Sequence, residues 1–373
     1  MLNRRNLIKG LFLLLTGLFN RRIFALNTLK MNSFHMPEEA SVHKQTWMAF
    51  VANDYIWSKK QIPKVKQDLA LLATTIAKYE PVSMLVSSQD YDEAVALLKT
   101  HGQPKYPIKL IKFSVDDLWL RDTGPTFVIG SDGNKYAIDF NFNGWGGKQV
   151  YARDKNVSDF ICNYSNAIIK KSSLTLEGGS IEVDGVGTSI MTKSSIINNN
   201  RNPGLSLQEI EQELKNLLGL KKIIWLPGIK GKDITDGHVD FYARFAKPGQ
   251  VIVSKDNYPD SFDYKVTRQN IEILKKSLDA KGNKLKITVL DTPDYINEDF
   301  ASDDFAASYL GFYLCNNGLI MQKFGDPKAD LKAKRVLQKI FPDRVIEQIA
   351  IDGIASGGGS IHCTTQQEIM VAK

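Results

Sequence analysis

A thiol, an imidazole and three carboxylates stand beside glycines at widely separated points of this 373-residue chain. Cys363 follows a run of three glycines in Ser356-Gly-Gly-Gly-Ser-Ile-His-Cys. Consecutive glycines cost backbone order and belong where something must approach the main chain closely. Gly358 and Gly359 would bare that backbone for a substrate, and a thiol just beyond them would meet it as a nucleophile. Asp122 lies in Trp119-Leu-Arg-Asp-Thr-Gly-Pro, Glu177 in Leu176-Glu-Gly-Gly-Ser, and His238 with Asp240 in Asp236-Gly-His-Val-Asp. Two residues apart, His238 and Asp240 share a face if that segment is extended. A thiol with a histidine is the nucleophile-and-base arrangement, yet acids around a thiol raise its pKa and suppress it. The set is coherent for a flat cationic substrate: carboxylates grip the charge, and the charge favours the thiolate. A guanidinium, with its fork of donors, is the cation that two carboxylates hold best.

Each residue also has an ordinary reading. Cys363 could be a small buried hydrophobe, Asp122 an ion partner of its neighbour Arg121, and Glu177 a loop cap. His238 and Asp240 could be a satisfied core pair or two ligands of a zinc site. Those readings leave unexplained why all of them sit next to glycine. No third metal ligand and no CxxC pair of zinc spacing is apparent in the sequence.

The elements that must position these loops alternate in a regular way. Apolar residues at helical spacing predict helices over Val65–Lys78, Tyr91–Thr100, Leu207–Leu218, Tyr264–Leu278 and Lys328–Ile340. The third begins with a capping box, Ser206 with Glu209. Thr46–Phe50 reads as the lead-in to the first helix. Strands are predicted at Val82–Val86, Ile108–Phe113, Ile223–Leu226, Leu285–Leu290, Arg344–Ile349 and Glu368–Ala372. Hairpins are predicted over Thr126–Phe140, Leu174–Met191, Val239–Val253 and Ala307–Gln322. The order is hairpin, helix, strand, repeated about four or five times. The hairpins argue against a doubly wound parallel sheet, and no GxGxxG or Walker loop occurs. No proline- or glycine-rich linker divides the body, so one domain from residue 36 to 373 is expected.

The formal charge of +7 invites a nucleic-acid reading, but Arg4, Arg5, Lys9, Arg21 and Arg22 supply five of those charges. The remainder, 43 basic against 41 acidic residues, carries no footprint for DNA or RNA. Residues 1–25 join that basic start to a short apolar run, Leu11–Phe19, too short to span a bilayer comfortably. They predict a signal peptide resembling a twin-arginine export signal, delivery to a bacterial periplasm, and no stable membrane insertion afterwards. Three cysteines, Cys162, Cys315 and Cys363, are too few for a disulfide framework, and whether Cys162 meets Cys315 stays open.

Taken in order, several motifs make a family resemblance specific. They are Trp119-x-Arg-Asp-Thr-Gly-Pro, Phe142-Asn-Gly-Trp-Gly-Gly-Lys, Leu176-Glu-Gly-Gly-Ser-Ile-Glu-Val-Asp-Gly, Asn200-Arg-Asn-Pro, Gly237-His-Val-Asp and Gly357-Gly-Gly-Ser-Ile-His-Cys. From about Met36 to Gln367 the chain resembles the agmatine deiminases and the wider bacterial peptidyl-arginine deiminase group of the guanidine-modifying (pentein) superfamily. The resemblance implies a five-bladed α/β propeller of ββαβ units around a polar channel. It also implies Cys363 as nucleophile on the guanidinium carbon, with Asp122 and Asp240 holding the guanidinium nitrogens. His238 would act as acid and then base, Glu177 would orient His238, and Trp119 and Trp145 would wall the channel. A small cationic guanidino substrate is implied, with neither metal nor organic cofactor; assembly into a homo-oligomer is left open.

His362 would point away from the nucleophile if extended, and is taken as structural. Arg201 and Arg244 are candidates for a substrate carboxylate, which would mark free or peptidyl arginine as substrate instead of agmatine. The chain departs from the family pattern at Phe50-Val51, where Trp-Pro is usual, and at Asp236 and Ser360, where asparagine is usual. These departures are expected to touch the channel lining and not the catalytic set. A binding protein for cationic amines that has lost turnover, and a zinc hydrolase, are the readings from other classes.

Overall fold

The fold follows from pairing local hairpins with helices that cover them. The structure, a computed structural model, describes residues 33–371; the leader lies outside them. The chain runs through β1 (Phe34–His35), β2 (His43–Phe50), α1 (Ile62–Ile76), β3 (Val82–Val86), α2 (Tyr91–Thr100) and β4 (Ile108–Lys112). Next come β5 (Thr126–Gly130), β6 (Lys135–Asp139), α3 (Val157–Ser165) and β7 (Ile168–Lys171). After them follow β8 (Glu182–Val183), β9 (Thr188–Thr192), α4 (Leu207–Leu218) and β10 (Lys222–Leu226). The fourth group is β11 (Ala243–Lys247), β12 (Gln250–Lys255), α5 (Asp263–Lys276) and β13 (Lys286–Asp291). The last is β14 (Tyr313–Cys315), β15 (Gly318–Gln322), α6 (Pro327–Ile340) and β16 (Val345–Ile349), before β17 (Gln366–Ile369).

Four of the five sheets repeat one unit: an antiparallel hairpin, a helix, and a third strand parallel to the hairpin's second. The fifth is built from both ends of the chain. β17 pairs antiparallel with β2, and β3 and β4 extend that sheet in parallel. The result is a five-bladed α/β propeller whose ring is closed by β17. Local signals set most boundaries: Ser206 and Glu209 make the capping box of α4, Gly219 ends it in the left-handed conformation, and Pro327 starts α6 beside the capping Asp326.

The structure departs from the sequence reading in three ways. β2 is a strand and not the lead-in to a helix; its Trp47, Met48, Ala49 and Phe50 are buried against α1 and β3, so no polar alternation marks it. α3 and β7 escaped the pattern altogether, β7 because Ile168–Lys171 is exposed along its whole length at a sheet edge. The strands expected to begin near 174, 239 and 307 begin later. Each is preceded by a single 3₁₀ turn, at Gly178–Ser180, Val239–Phe241 and Tyr309–Gly311.

Those turns are the point of the architecture for function. A short turn precedes the first strand of every blade: Leu120–Thr123 before β5, the three 3₁₀ turns before β8, β11 and β14, and the loop 356–365 before β17. Asp122, Glu177, His238, Asp240 and Cys363 all lie in or beside one of them. Four stretches far apart in sequence thus bring the named side chains together, and the fifth turn meets them through Gly311 O, which accepts from the His362 amide.

Candidate active site

The thiol sits at the inner end of a cavity of about 720 Å³ whose lining includes Trp57, Trp119, Asp122, Trp145, Gly357, Gly358, Gly359 and Cys363. Each glycine of the triplet has its own reason. A Cβ on Gly357 would lie 2.0 Å from Trp57 Cη2, and one on Gly359 would lie 2.1 Å from Trp119 Cζ3. Gly358 has φ +87°, a conformation that L side chains adopt at a cost. The triplet therefore lets two indoles pack directly on the main chain of the cavity wall.

Cys363 Sγ lies 3.7 Å from Asp240 Oδ2 and 3.4 Å from Ser360 Oγ. Burial, then the charges of Asp240 and Asp122, push its thiol well above the ordinary cysteine range. Asp240 Oδ2 is also 2.8 Å from His362 Nδ1, while Asp240 Oδ1 is buried without a hydrogen-bond partner. Burial opposes ionisation of Asp240, but the His362 contact outweighs it and the carboxyl titrates below its usual range.

Asp122 approaches from the blade opened by β5. Its Oδ1 accepts from the Gly179 amide at 2.9 Å and its Oδ2 from Trp145 Nε1 at 2.9 Å. The tryptophan reaches it from a left-handed run, Gly144-Trp145-Gly146-Gly147, in which Trp145 itself has φ +54°. A bulky residue held there stores strain of about 1–3 kcal/mol, which the surrounding packing and this hydrogen bond must offset. Burial raises the pKa of Asp122 to about 6.

His238 Nε2 lies 3.1 Å from Glu177 Oε2, and its Nδ1 lies 3.8 Å from Asp122 Oδ2. Burial works against the imidazolium, but Asp122 and then Glu177 prevail and lift its pKa to about 9. A Cβ on Gly179 would fall 2.4 Å from His238 Nδ1, so only glycine lets imidazole and carboxylate face each other there. Glu177 is fully buried and held ionised by His238 and Arg201, whose Nε donates to both its oxygens at 2.8 and 3.1 Å.

The structure thus gathers a buried thiol, a carboxylate (Asp240) beside its sulfur, and a histidine set between Glu177 and Asp122. Comparison with known proteins then decides the kinship. The family model of the Porphyromonas-type peptidyl-arginine deiminases matches residues 35–368. The chain belongs to that family. It is 36% identical to the agmatine deiminase of Pseudomonas aeruginosa (strain LESB58) over 364 residues, covering 92% of this chain and 97% of that one. The solved agmatine deiminase of Enterococcus faecalis superposes with a TM-score of 0.82 at 31% identity, covering 90% of this chain and 96% of that one. The C. jejuni agmatine deiminase with substrate bound gives 0.80 at 25% identity, over 92% and 98% of the two chains.

Within this family fold, every residue named from the sequence as catalytic is brought to one place, and the reading of three others changes. Arg201 and Arg244 are buried and engaged: Arg201 with Glu177 and Asp236, Arg244 with Glu39 and Glu182. Each guanidinium is already taken up by two carboxylates, so neither is left free to seat a substrate carboxylate. His362 does not turn away from the site; residues 361–364 form a turn and not a strand, so the alternating-face argument does not apply. The two departures Asp236 and Ser360 also reach the catalytic set. Ser360 touches the sulfur, and Asp236 Oδ2 holds Arg201 at 2.9 Å and Lys148 at 2.8 Å.

Sequence reasoning missed Glu39. It receives Arg244 at 2.8 Å, Arg121 at 3.2 Å and His362 at 2.8 Å, and its carboxyl titrates well below the usual range, burial notwithstanding, because of those cations. Arg121 is no surface partner of Asp122: its amide donates to Cys363 O at 3.0 Å and its Nη1 to Gln367 Oε1 at 2.7 Å, lashing the two site loops together. Cys162 and Cys315 are free thiols, each buried. Among the described residues, no group of three or more His, Cys, Asp or Glu is arranged to hold a metal.

Proposed function

We propose that this protein hydrolyses agmatine to N-carbamoylputrescine and ammonia. One observation carries the choice of substrate. Every acid around the cavity is an aspartate, Lys232 is the one basic residue in the described lining, and no arginine faces it. Such a vestibule suits a dication that ends in a guanidinium and an ammonium, and disfavours a free carboxylate. Relatives named agmatine deiminase, matched over nearly their whole length, support the same reading.

In the proposed reaction, Asp122 and Asp240 grip the guanidinium nitrogens, and its charge above the sulfur offsets the acids that suppress the thiol. With the cation in place the Cys363 thiol gives its proton to bulk water, and the thiolate bonds to the guanidinium carbon. The carbon–nitrogen bond then breaks, and the departing nitrogen takes its electron pair and a proton from the His238 imidazolium, leaving as ammonia. The remaining thiouronium is attacked by water, which gives its proton to His238. The carbon–sulfur bond breaks, the hydroxyl proton of the adduct passes to water, and the thiolate returns as the neutral ureido product forms. Glu177 keeps His238 oriented and cationic throughout the first half.

Ammonia release should be measured with agmatine, free arginine and an arginine peptide side by side. Agmatine is expected to be turned over best, and Cys363→Ala is expected to abolish ammonia while ligand still binds. Preference for arginine, lost on Lys232→Ala, would move the assignment to an arginine deiminase. The basic apolar leader is read as an export signal with a twin-arginine pattern; retention of the protein in the cytoplasm with Arg4 and Arg5 intact would remove that part.

A further inference from the structure

His362 is bracketed by two carboxylates. Its Nδ1 is 2.8 Å from Asp240 Oδ2 and its Nε2 is 2.8 Å from Glu39 Oε2. All three side chains are buried or nearly so, with His362 and Asp240 each 2% exposed. A nitrogen and a carboxylate oxygen at that separation need a proton between them, because two lone pairs facing each other in a dry interior repel. Two such lines need two protons, and a neutral imidazole brings only one. The trio must therefore hold one proton more than a neutral ring between two carboxylates would.

Resting on the reading of Asp240 as a guanidinium-binding acid, we propose that His362 is a positioning residue which, with Glu39 and Asp240, shares two protons and carries a single net negative charge beside Cys363. Three consequences follow from the contacts. Asp240 Oδ2 is occupied by His362, so Oδ1, which has no partner, is the atom left for the guanidinium. The carboxylate plane is fixed from behind, because Glu39 anchors the other end of the imidazole and is itself held by Arg244, Arg121 and the Leu314 amide at 2.9 Å. And the thiol, 3.7 Å from Asp240 Oδ2, meets a trio one charge less negative than its residue types imply.

The groups facing the ring work in both directions. Burial and the charges of Arg121 and Arg244 outweigh Glu39 and Asp240 and hold the pKa of His362 below its ordinary value, so it is the pair of 2.8 Å nitrogen–oxygen contacts, and not the surrounding charge, that calls for the second proton. The second proton is therefore held by the two short contacts and leaves when either is lost. Beyond the trio, Arg121 Nε donates to His362 O at 3.3 Å, Gly311 O accepts from the His362 amide at 3.0 Å, and Arg244 bridges Glu39 to Glu182.

The test is the pH dependence of Cys363 alkylation by iodoacetamide, followed by mass spectrometry of the Cys363 peptide, in the full-length protein and two variants. His362→Gln removes both ring protons and leaves two carboxylates, so the apparent thiol pKa is expected to rise by about one unit. Glu39→Gln removes one carboxylate and one shared proton together, so the net charge stays the same and the thiol pKa is expected not to move. A neutral His362 between two full carboxylates gives the opposite pattern: no rise for His362→Gln, and a fall for Glu39→Gln. Either of those results overturns the proposal, and Glu39→Gln decides it alone if His362→Gln does not fold. Alkylation needs no agmatine, so a failure of the substrate assignment leaves this result standing.

Discussion

Replacing Glu177 by glutamine tests the acid–base assignment most directly. The substitution keeps size and the hydrogen bond from Arg201, and removes one buried negative charge beside His238. His238 is lifted from its ordinary 6.5 to about 9, which corresponds to ~3 kcal/mol of preference for the charged ring. Asp122 is the largest favourable contributor, and Glu177 enters twice, as hydrogen-bond acceptor and as charge. Losing both Glu177 contributions should bring the histidine to roughly 7.5. At pH 8.5 a group of pKa about 9 is roughly three-quarters protonated, and one of about 7.5 is roughly a tenth protonated. Glu177→Gln should therefore lose about eightfold in kcat/KM at pH 8.5 from protonation alone, and almost nothing at pH 6.5 on that account. The assay is ammonia release from agmatine between pH 5.5 and 9.5, with thermal unfolding followed alongside. In the parent enzyme the acid limb should fall near Asp122, at about 6, and the alkaline limb near His238, at about 9. An alkaline limb that stays in place in the variant, or a loss equal at every pH, would refute Glu177 as the group that keeps His238 charged.

Two further outcomes follow from the same contacts. Gly179→Ala should lower kcat at least ~100-fold with the fold intact by circular dichroism, because its methyl would meet His238 Nδ1 at 2.4 Å and force the imidazole out of line; near-normal turnover would mean that the ring position is not critical. Arg201→Met should destabilise the protein by about 3–5 kcal/mol in denaturant unfolding, since it removes the guanidinium that joins the buried carboxylates of Glu177 and Asp236 and leaves them, as cations, only His238 and Lys148, and a change below about 1 kcal/mol would show that these charges are relieved by protonation instead.

What could be read in the sequence divides along physical lines. β3, α2 and α4 have the boundaries that the sequence predicts, because apolar spacing, a capping box and flanking glycine or proline act within a few residues. Nothing in the sequence marks β2 as a strand, because a strand buried on both faces loses its alternation, and nothing marks β7, because an exposed edge strand has no apolar face to show. The positions of Cys363, His238, Asp240, Asp122 and Glu177 stand out in the sequence because each lies in a glycine-bearing loop, and that signal is local. The ions that hold these groups do not. Nothing near Glu177 in sequence announces that a buried carboxylate must find Arg201, 24 positions away. Glu39 reaches His362 across 323 positions, and only closure of the ring by β17 against β2 brings that pair together.

The same division bears on how so acidic a site can be buried. Charges removed from water cost several kcal/mol each unless paired, so a cluster as acidic as this one is tolerable only with its cations fixed in place. Arg201, Arg121 and Arg244 supply that pairing for Glu177, Glu39 and Glu182, at positions back from the cavity. Asp122 and Asp240 are served less well: neither meets an arginine, one is pushed up to about 6, and the other keeps an oxygen without a partner. Their shortfall is what a guanidinium would fill, and burial together with the same two carboxylates pushes the Cys363 thiol well above the ordinary cysteine range in its absence. On the proposed reaction, binding the cation and freeing the nucleophile are then a single electrostatic event. A neutral isostere of the guanidinium, however well it filled the gap, would leave the sulfur a thiol.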